Sequence, residues 1–258
     1  MAVPRCRRWQ FVEVLSCLWG GMIKLKIAEN GRRVQLESVA LQAQPNAVVS
    51  GTNLAAILTV CGIVLVNPSG ELLGSTFKPT YEAVSILLSK DDKTLYVGDN
   101  SGKIHVHEIG ISYELKEVHL IEKGHQKAVH SLCLSNDQRK LASADVRDIC
   151  VWDVKDDYSP LVTARWCFHT QRITALAWSP DDTILASGGA DDNIYIWSLE
   201  NKAKRIHYPF CHRGGITGLA FLNHPTNSNG LRLVSVGVDA CVNQWDITSD
   251  GIVDVVLS

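Results

Sequence analysis

The sequence has few of the features that would place it in a simple chemical class. It has 25 basic and 27 acidic residues and a net charge of −2, so no positive excess points to nucleic acid. Its eight cysteines include no C-x-x-C pair, which removes the usual zinc-binding and thiol-exchange signatures. Most of them fall within strand-like segments, a pattern that predicts reduced, buried cysteines in a cytoplasmic protein.

Two apolar segments look like targeting or membrane signals but lack the features that define them. Residues 1–19 place arginines before an apolar run, yet Glu13 interrupts that run and no small-residue cleavage site follows. Residues 38–70 carry no charge, but glycine and asparagine divide their apolar stretch. We therefore expect no secretion signal and no membrane helix, and we predict buried strands at Leu54–Val60 and Ile63–Val66.

Residues 168–199 contain the pattern that the rest of the chain repeats. Their β-branched and aromatic residues predict three strands, Ile173–Trp178, Ile184–Gly188 and Asn193–Leu199. Between these strands lie Ser-Pro-Asp-Asp and Gly-Ala-Asp-Asp, which supply turn residues.

Four polar side chains are spaced in this segment so that they can form one hydrogen-bonded chain, and they are His169, Ser187, Asp191 and Trp197. The last copy of the pattern repeats them as His212, Ser235, Asp239 and Trp245. A copy at residues 124–154 has His125, Ser143 and Trp152, but its shorter turn predicts that Asp145 is out of phase. We predict a structural role for all of these networks.

The repeat has a regular period. The first strands of four copies begin near residues 83, 128, 172 and 215, which gives a period of 43 to 45 residues. Such a period with four strand signals predicts the blades of a β-propeller, each an antiparallel sheet of four strands. An uncharged unit precedes these copies. Before that unit, residues Met22–Ile27 predict a strand of one further, partial blade.

The predicted fold class is therefore an all-β propeller with about five blades and part of a sixth. We expect residues 21–258 to form this incomplete propeller, with open apolar flanks. Residues 1–20 do not fit the repeat, and we expect them to be an atypical leader, either foreign or a wrongly predicted start. An insertion, Asn223–Gly230, is expected on the rim opposite His212.

Three groups of residues resemble chemical sites, and each has a simpler structural interpretation. Gly98–Lys103 resembles a phosphate-binding loop, but its glycines are too close and it leads into a strand. His105 and His107 share one strand face, as half of a zinc site would, without a third ligand at a diagnostic spacing. The network residues resemble a hydrolase triad, but the pattern recurs in the last copy. We predict no catalytic residue, no metal and no cofactor.

Three cations precede first strands on the rim that carries the network histidines: Lys127, Arg172 and Arg213. Solvated loop charges are the simplest interpretation. The functional alternative is a basic arc that faces an acidic partner surface.

These repeats resemble the WD-repeat family. Three stretches also resemble the C-terminal propeller of the actin-interacting protein 1 family: YEAVSILLSKDDKTLYVGDNSGKIHVHEI, HTQRITALAWSPDDTILASGGADDNIYIW, and HRGGITGLAF with VSVGVDACVNQWDI. The resemblance covers about residues 21–250. It implies part of a two-propeller, non-enzymatic scaffold that binds actin filaments and assists cofilin, the actin-depolymerising factor, in filament disassembly. It also implies a place on the cytoplasmic actin cytoskeleton, and no nucleic-acid, membrane or small-molecule partner.

A WD-repeat substrate adaptor of a cullin-type ubiquitin ligase is the alternative function. Such adaptors resemble one another in an arginine two residues after the Trp-Asp pair. At that position this sequence has Lys155, Glu200 and Thr248, which argues against the alternative.

Overall fold

The computed structural model describes residues 11–18, 21–28, 33–40, 43–67, 70–222, 231–248 and 251–257. These residues form six antiparallel sheets, which we number as blades 1 to 6 in chain order. Blade 1 has three strands and each of the others has four. The predicted propeller fold is therefore confirmed.

The strands of blades 1 to 3 follow in chain order. Blade 1 contains β1 (Phe11–Leu18), β2 (Gly21–Ala28) and β3 (Arg33–Ala40). Blade 2 contains β4 (Pro45–Ser50), β5 (Ala55–Thr59), β6 (Gly62–Val66) and β7 (Leu72–Phe77). Blade 3 contains β8 (Ala83–Leu88), β9 (Thr94–Asp99), β10 (Ile104–Ile109) and β11 (Leu115–Ile121).

The remaining strands continue the same order. Blade 4 contains β12 (Ser131–Leu134), β13 (Lys140–Ala144), β14 (Ile149–Asp153) and β15 (Ser159–Trp166). Blade 5 contains β16 (Ile173–Trp178), β17 (Ile184–Gly189), β18 (Ile194–Ser198) and β19 (Arg205–Tyr208). Blade 6 contains β20 (Ile216–Leu222), β21 (Leu231–Gly237), β22 (Val242–Thr248) and β23 (Gly251–Leu257).

Blade 1 includes a strand from the segment expected to lie outside the repeat. Strand β1 pairs antiparallel with β2 along its whole length, from Phe11 opposite Ala28 to Leu18 opposite Gly21. The sequence did not indicate β1, because Phe11–Leu18 lacks a regular alternation of apolar and polar residues. The division of the chain at residue 20 stays a prediction, and Asn223–Gly230 lies outside the described residues.

The hydrophobic core is divided among the gaps between neighbouring blades. Between blades 4 and 5, for example, Trp166 and Val151 pack with Leu185 and Trp197 in one buried cluster. Similar clusters lie between blades 2 and 3, between blades 3 and 4 and between blades 5 and 6. Blades 2 to 6 therefore depend on one another for burial of their apolar faces.

In blades 2 to 5 a turn connects the first strand to the second, and such turns of neighbouring blades are hydrogen-bonded to each other. Asp182 has a φ of 58° and accepts hydrogen bonds from the backbone N–H groups of Asn136 and Asp137, at 2.7 and 2.9 Å. Asp92, with a φ of 60°, accepts bonds in the same way from the turn of blade 2. Aspartate tolerates this backbone region and accepts strongly as a carboxylate. These bonds fix the spacing of blades along one rim.

The cysteines are only partly as expected. Cys150 and Cys211 are buried, but Cys61, Cys167 and Cys241 are exposed, so the expectation of burial is wrong for these three. They lie in turns and connections, where strand patterning does not apply. Among the described residues, no helix is long and apolar enough to cross a membrane. The uncharged stretch instead forms the buried strands β5 and β6.

Candidate functional site

The polar network of blade 5 joins two strands and two loops. His169 lies just before β16, Ser187 is on β17 and Trp197 is on β18. Asp191 occupies the turn between β17 and β18 and lies 3.0 Å from His169 Nδ1. His169 Nε2 is 2.9 Å from Ser187 Oγ, which also accepts a hydrogen bond of 2.8 Å from Trp197 Nε1. One continuous chain therefore connects the turn to the middle of the blade.

Burial determines what this chain can do. His169 and Ser187 are fully buried and Trp197 is 1% exposed. Burial would raise the pKa of Asp191, but the hydrogen bond and charge of His169 and the N–H group of Thr170 lower that pKa to about 2. The serine hydroxyl faces no cleft, and its oxygen is already engaged by the indole. The arrangement therefore binds strands together and does not present a nucleophile.

Blade 6 repeats this geometry. His212 Nδ1 lies 2.9 Å from Asp239 and its Nε2 lies 2.7 Å from Ser235 Oγ. Trp245 Nε1 donates to the same hydroxyl at 2.9 Å. Asp239 accepts the backbone N–H of Arg213, and that bond, together with His212, lowers the pKa of Asp239 to about 2.

Blade 4 contains a weaker version of the network. His125 Nε2 and Trp152 Nε1 lie 2.7 and 2.8 Å from Ser143 Oγ. Asp145 follows Ser143 by two residues, where the aspartates of blades 5 and 6 follow their serines by four. Its carboxylate lies 3.4 Å from His125 Nδ1, which has no aligned hydrogen-bond partner in the described structure. The shorter turn thus brings the Asp145 carboxylate near the His125 ring without an aligned hydrogen bond.

Blade 3 replaces the network with a different polar cluster. His107 stands at the tryptophan position, and its Nε2 lies 3.3 Å from the hydroxyl of Tyr81. His105 stacks on the Tyr81 ring at 3.5 Å and lies between Glu117 and Asp99, at 2.8 and 3.3 Å. Burial lowers the pKa of His107. The sequence indicated only the two histidines, because no local pattern links Tyr81 or Glu117 to them.

The residues that resembled ligand sites do not assemble into one. No group of three or more His, Cys, Asp or Glu side chains within the described ranges is arranged to hold a metal ion. The segment that resembled a phosphate loop is a turn in which Asp99 Oδ1 accepts the N–H groups of Ser101 and Lys103. A carboxylate at this place repels phosphate.

The three rim cations are all exposed. Lys127, Arg172 and Arg213 lie in the loops that precede β12, β16 and β20, beside the network histidines of blades 4, 5 and 6. None of them has a carboxylate within salt-bridge distance in the part of the chain that the structure describes. Arg172 also lies close enough to His130 to add to the lowering of its pKa that burial causes. The rim therefore presents unpaired positive charge on three successive blades.

Comparisons with known proteins agree with this architecture. The family model described as "WD domain, G-beta repeat" matches residues 116–153 and 161–198. Each match begins in the outer strand of one blade and ends in the third strand of the next. A solved structure of a mitotic checkpoint complex contains a chain with a TM-score of 0.75 and 20% identity, matched over 93% of this chain and 72% of that one. At this identity the likeness shows the fold alone.

Relatives found by sequence similarity indicate a narrower group of proteins than the fold does. "WD repeat-containing protein 1-A" of Xenopus laevis is 32% identical over 216 residues, 82% of this chain and 34% of that protein. "Actin-interacting protein 1" of Drosophila melanogaster is 30% identical over 214 residues, 81% of this chain and 33% of that protein. "66 kDa stress protein" of Physarum polycephalum is 28% identical over 214 residues, with the same coverage as the Xenopus protein. The chain thus spans about a third of the length of these relatives.

The repeat matches and the blades with their polar networks identify this chain as a WD-repeat β-propeller protein. Within that class, its sequence resembles actin-interacting protein 1 and WD repeat-containing protein 1.

Proposed function

We propose that this chain is a non-enzymatic scaffold that binds actin filaments and assists cofilin, the actin-depolymerising factor, in filament disassembly. The observation that carries the proposal is the similarity to proteins named actin-interacting protein 1 in Drosophila and Arabidopsis, at 30% identity in each case. The propeller suits this role because rigid blades present loops on two broad rims.

The surface that we assign to the partner is the rim with Lys127, Arg172 and Arg213. Their charges are exposed and unpaired among the described residues, and the backbone N–H of Arg213 is bonded to Asp239 of the blade 6 network. Positive charge on a rigid support favours an acidic partner surface and accelerates encounter with it. We also propose a cytoplasmic location, which fits the three exposed unpaired cysteines.

Co-sedimentation with actin filaments tests this function. We expect the chain to pellet with filaments more strongly when cofilin is present. The triple variant Lys127→Glu, Arg172→Glu, Arg213→Glu should lose most of this pelleting.

The control is a triple variant with the same charge change elsewhere: Lys93→Glu, Lys116→Glu, Arg139→Glu. These residues are exposed and lie away from the proposed rim. The control should pellet like the unaltered chain. Absence of pelleting with and without cofilin would contradict the actin proposal, and equal loss in both variants would contradict the assignment of the rim.

A further inference from the structure

The residue before the network histidine differs between blades 4 and 5, and the difference creates a pocket. In blade 4 this residue is Gly124, where an added Cβ atom would come within 2.5 Å of the Trp152 ring. In blade 5 the corresponding residue is Phe168, whose ring centroid lies 6.1 Å from that of Trp197. Phe168 is 40% exposed, because the space that glycine leaves to the indole cannot also hold a phenyl ring. Blade 5 therefore has an aromatic ring on its outer surface.

This ring borders a pocket of about 290 Å³ at the outer seam between blades 4 and 5. We call it the seam pocket, and its walls are Trp166, Phe168, Trp197, Lys202, Ala203 and Arg205. Trp166 of β15 stacks on Trp197 with ring centroids 5.2 Å apart, and its Nε1 donates a bond of 3.0 Å to the carbonyl of Lys202. Both indoles are almost completely buried. The floor of the pocket is therefore apolar and already rigid before any partner binds.

The mouth of the seam pocket is positively charged. The Arg205 guanidinium lies 3.6 Å from the centre of the Phe168 ring, and Lys202 lines the same opening. Among the described residues that line the pocket there is no carboxylate. The pocket at the preceding seam, between blades 3 and 4, has Glu122 beside Lys123, so its charges balance. The seam pocket thus differs from its neighbour in both charge and exposed aromatic surface.

Arg205 also covers the ring by an interaction that is easily exchanged. A cation–π contact at an exposed site is weak, so a partner carboxylate can draw the guanidinium off Phe168. An arginine–carboxylate pair that is partly desolvated at such a site is stronger and directional. Movement of Arg205 would expose the Phe168 ring to an apolar group of the partner.

We propose that the seam pocket binds an acidic peptide segment of a partner protein. An aromatic or aliphatic side chain of that segment enters the space beside Phe168, and flanking carboxylates pair with Arg205 and Lys202. The pocket lies at the outer strands of the blades, whereas Lys127, Arg172 and Arg213 lie on a rim. The inference therefore does not depend on the proposed actin function.

Fluorescence anisotropy with the full chain tests the proposal. The probe is a fluorescein-labelled peptide that has one tryptophan between two runs of three glutamates. We expect saturable binding that weakens about tenfold in the Lys202→Glu, Arg205→Glu variant, because two attractive charges become repulsive. Lys123→Glu, at the preceding seam, should change the affinity less than about twofold. Phe168→Ala should weaken binding about fivefold through lost apolar contact.

Two further probes separate this site from a general anion site. A peptide with alanine in place of tryptophan should bind about fivefold more weakly, and a peptide with lysines in place of the glutamates should not bind. Equal binding by the double variant, or equal effects of the two seams, would overturn the proposal. Competition by a single-stranded oligonucleotide as effective as that by the acidic peptide would also overturn it. Thermal melting of each variant by circular dichroism verifies that the fold is retained.

Discussion

Replacement of Ser187 by alanine should destabilise the protein strongly, because one hydroxyl serves two buried groups. In its absence, His169 Nε2 and Trp197 Nε1 lose the partner that now lies 2.9 and 2.8 Å away. Both side chains are almost completely buried, so water cannot replace the hydroxyl without opening the blade. A buried polar group without a partner costs about 1–3 kcal/mol. We therefore expect a loss of about 3 kcal/mol in the free energy of unfolding.

Thermal melting followed by circular dichroism measures this effect. For a chain of this size, 1 kcal/mol corresponds to roughly 2–4 °C, so Tm should fall by roughly 6–12 °C. The matched control is Ser112→Ala, because Ser112 is exposed and its hydroxyl donates to the carboxylate of the exposed Glu114. That variant should stay within about 0.5 kcal/mol of the unaltered protein. A Ser187→Ala protein as stable as the control would refute the view that the network holds the blade together.

Three other perturbations test separate parts of the structure. The pKa of Asp191 is lowered to about 2 in the folded protein, so the ionised carboxylate stabilises the fold above about pH 4, and this stabilisation is lost as the pH falls toward 2. Urea unfolding at several pH values should show this loss in the free energy of unfolding. The Asp191→Asn variant should show a flatter dependence on pH. Gly124→Ala places a Cβ atom 2.5 Å from the Trp152 ring and should lower Tm, whereas an unchanged Tm would mean that the indole moves aside freely. Asp182→Ala removes the acceptor of two N–H groups in the turn of Asn136 and should cost about 1–3 kcal/mol in urea unfolding, and a neutral result would show that these turn bonds do not couple the blades.

Much of the fold could be predicted because the strands have strong local patterns. Strand β16 has the predicted bounds, Ile173–Trp178, and β17 extends only one residue beyond its predicted end at Gly188. Both are rich in β-branched and apolar residues and are flanked by turn residues. Strand β1 was missed because its alternating pattern is weak and no turn motif links it to the repeat.

The networks could be predicted in part for a related reason. Strand pairing brings residues at fixed separations together, so the partners of His169 followed from spacing. The placement of Tyr81 over His105 and of Arg205 over Phe168 had no such signal. These contacts depend on side-chain rotamers, which sequence spacing does not determine.

The offset between repeat and blade has a consequence for how such chains grow. The repeat matched at residues 161–198 contributes β15 to blade 4 and three strands to blade 5. Duplication of this segment in a gene would therefore complete an old sheet and begin a new one in a single event. Every added copy would supply the fourth strand of the preceding blade and would leave its own three-stranded blade open at the same edge. An added copy would thus leave a four-stranded, hydrogen-bonded sheet at its junction with the preceding copy.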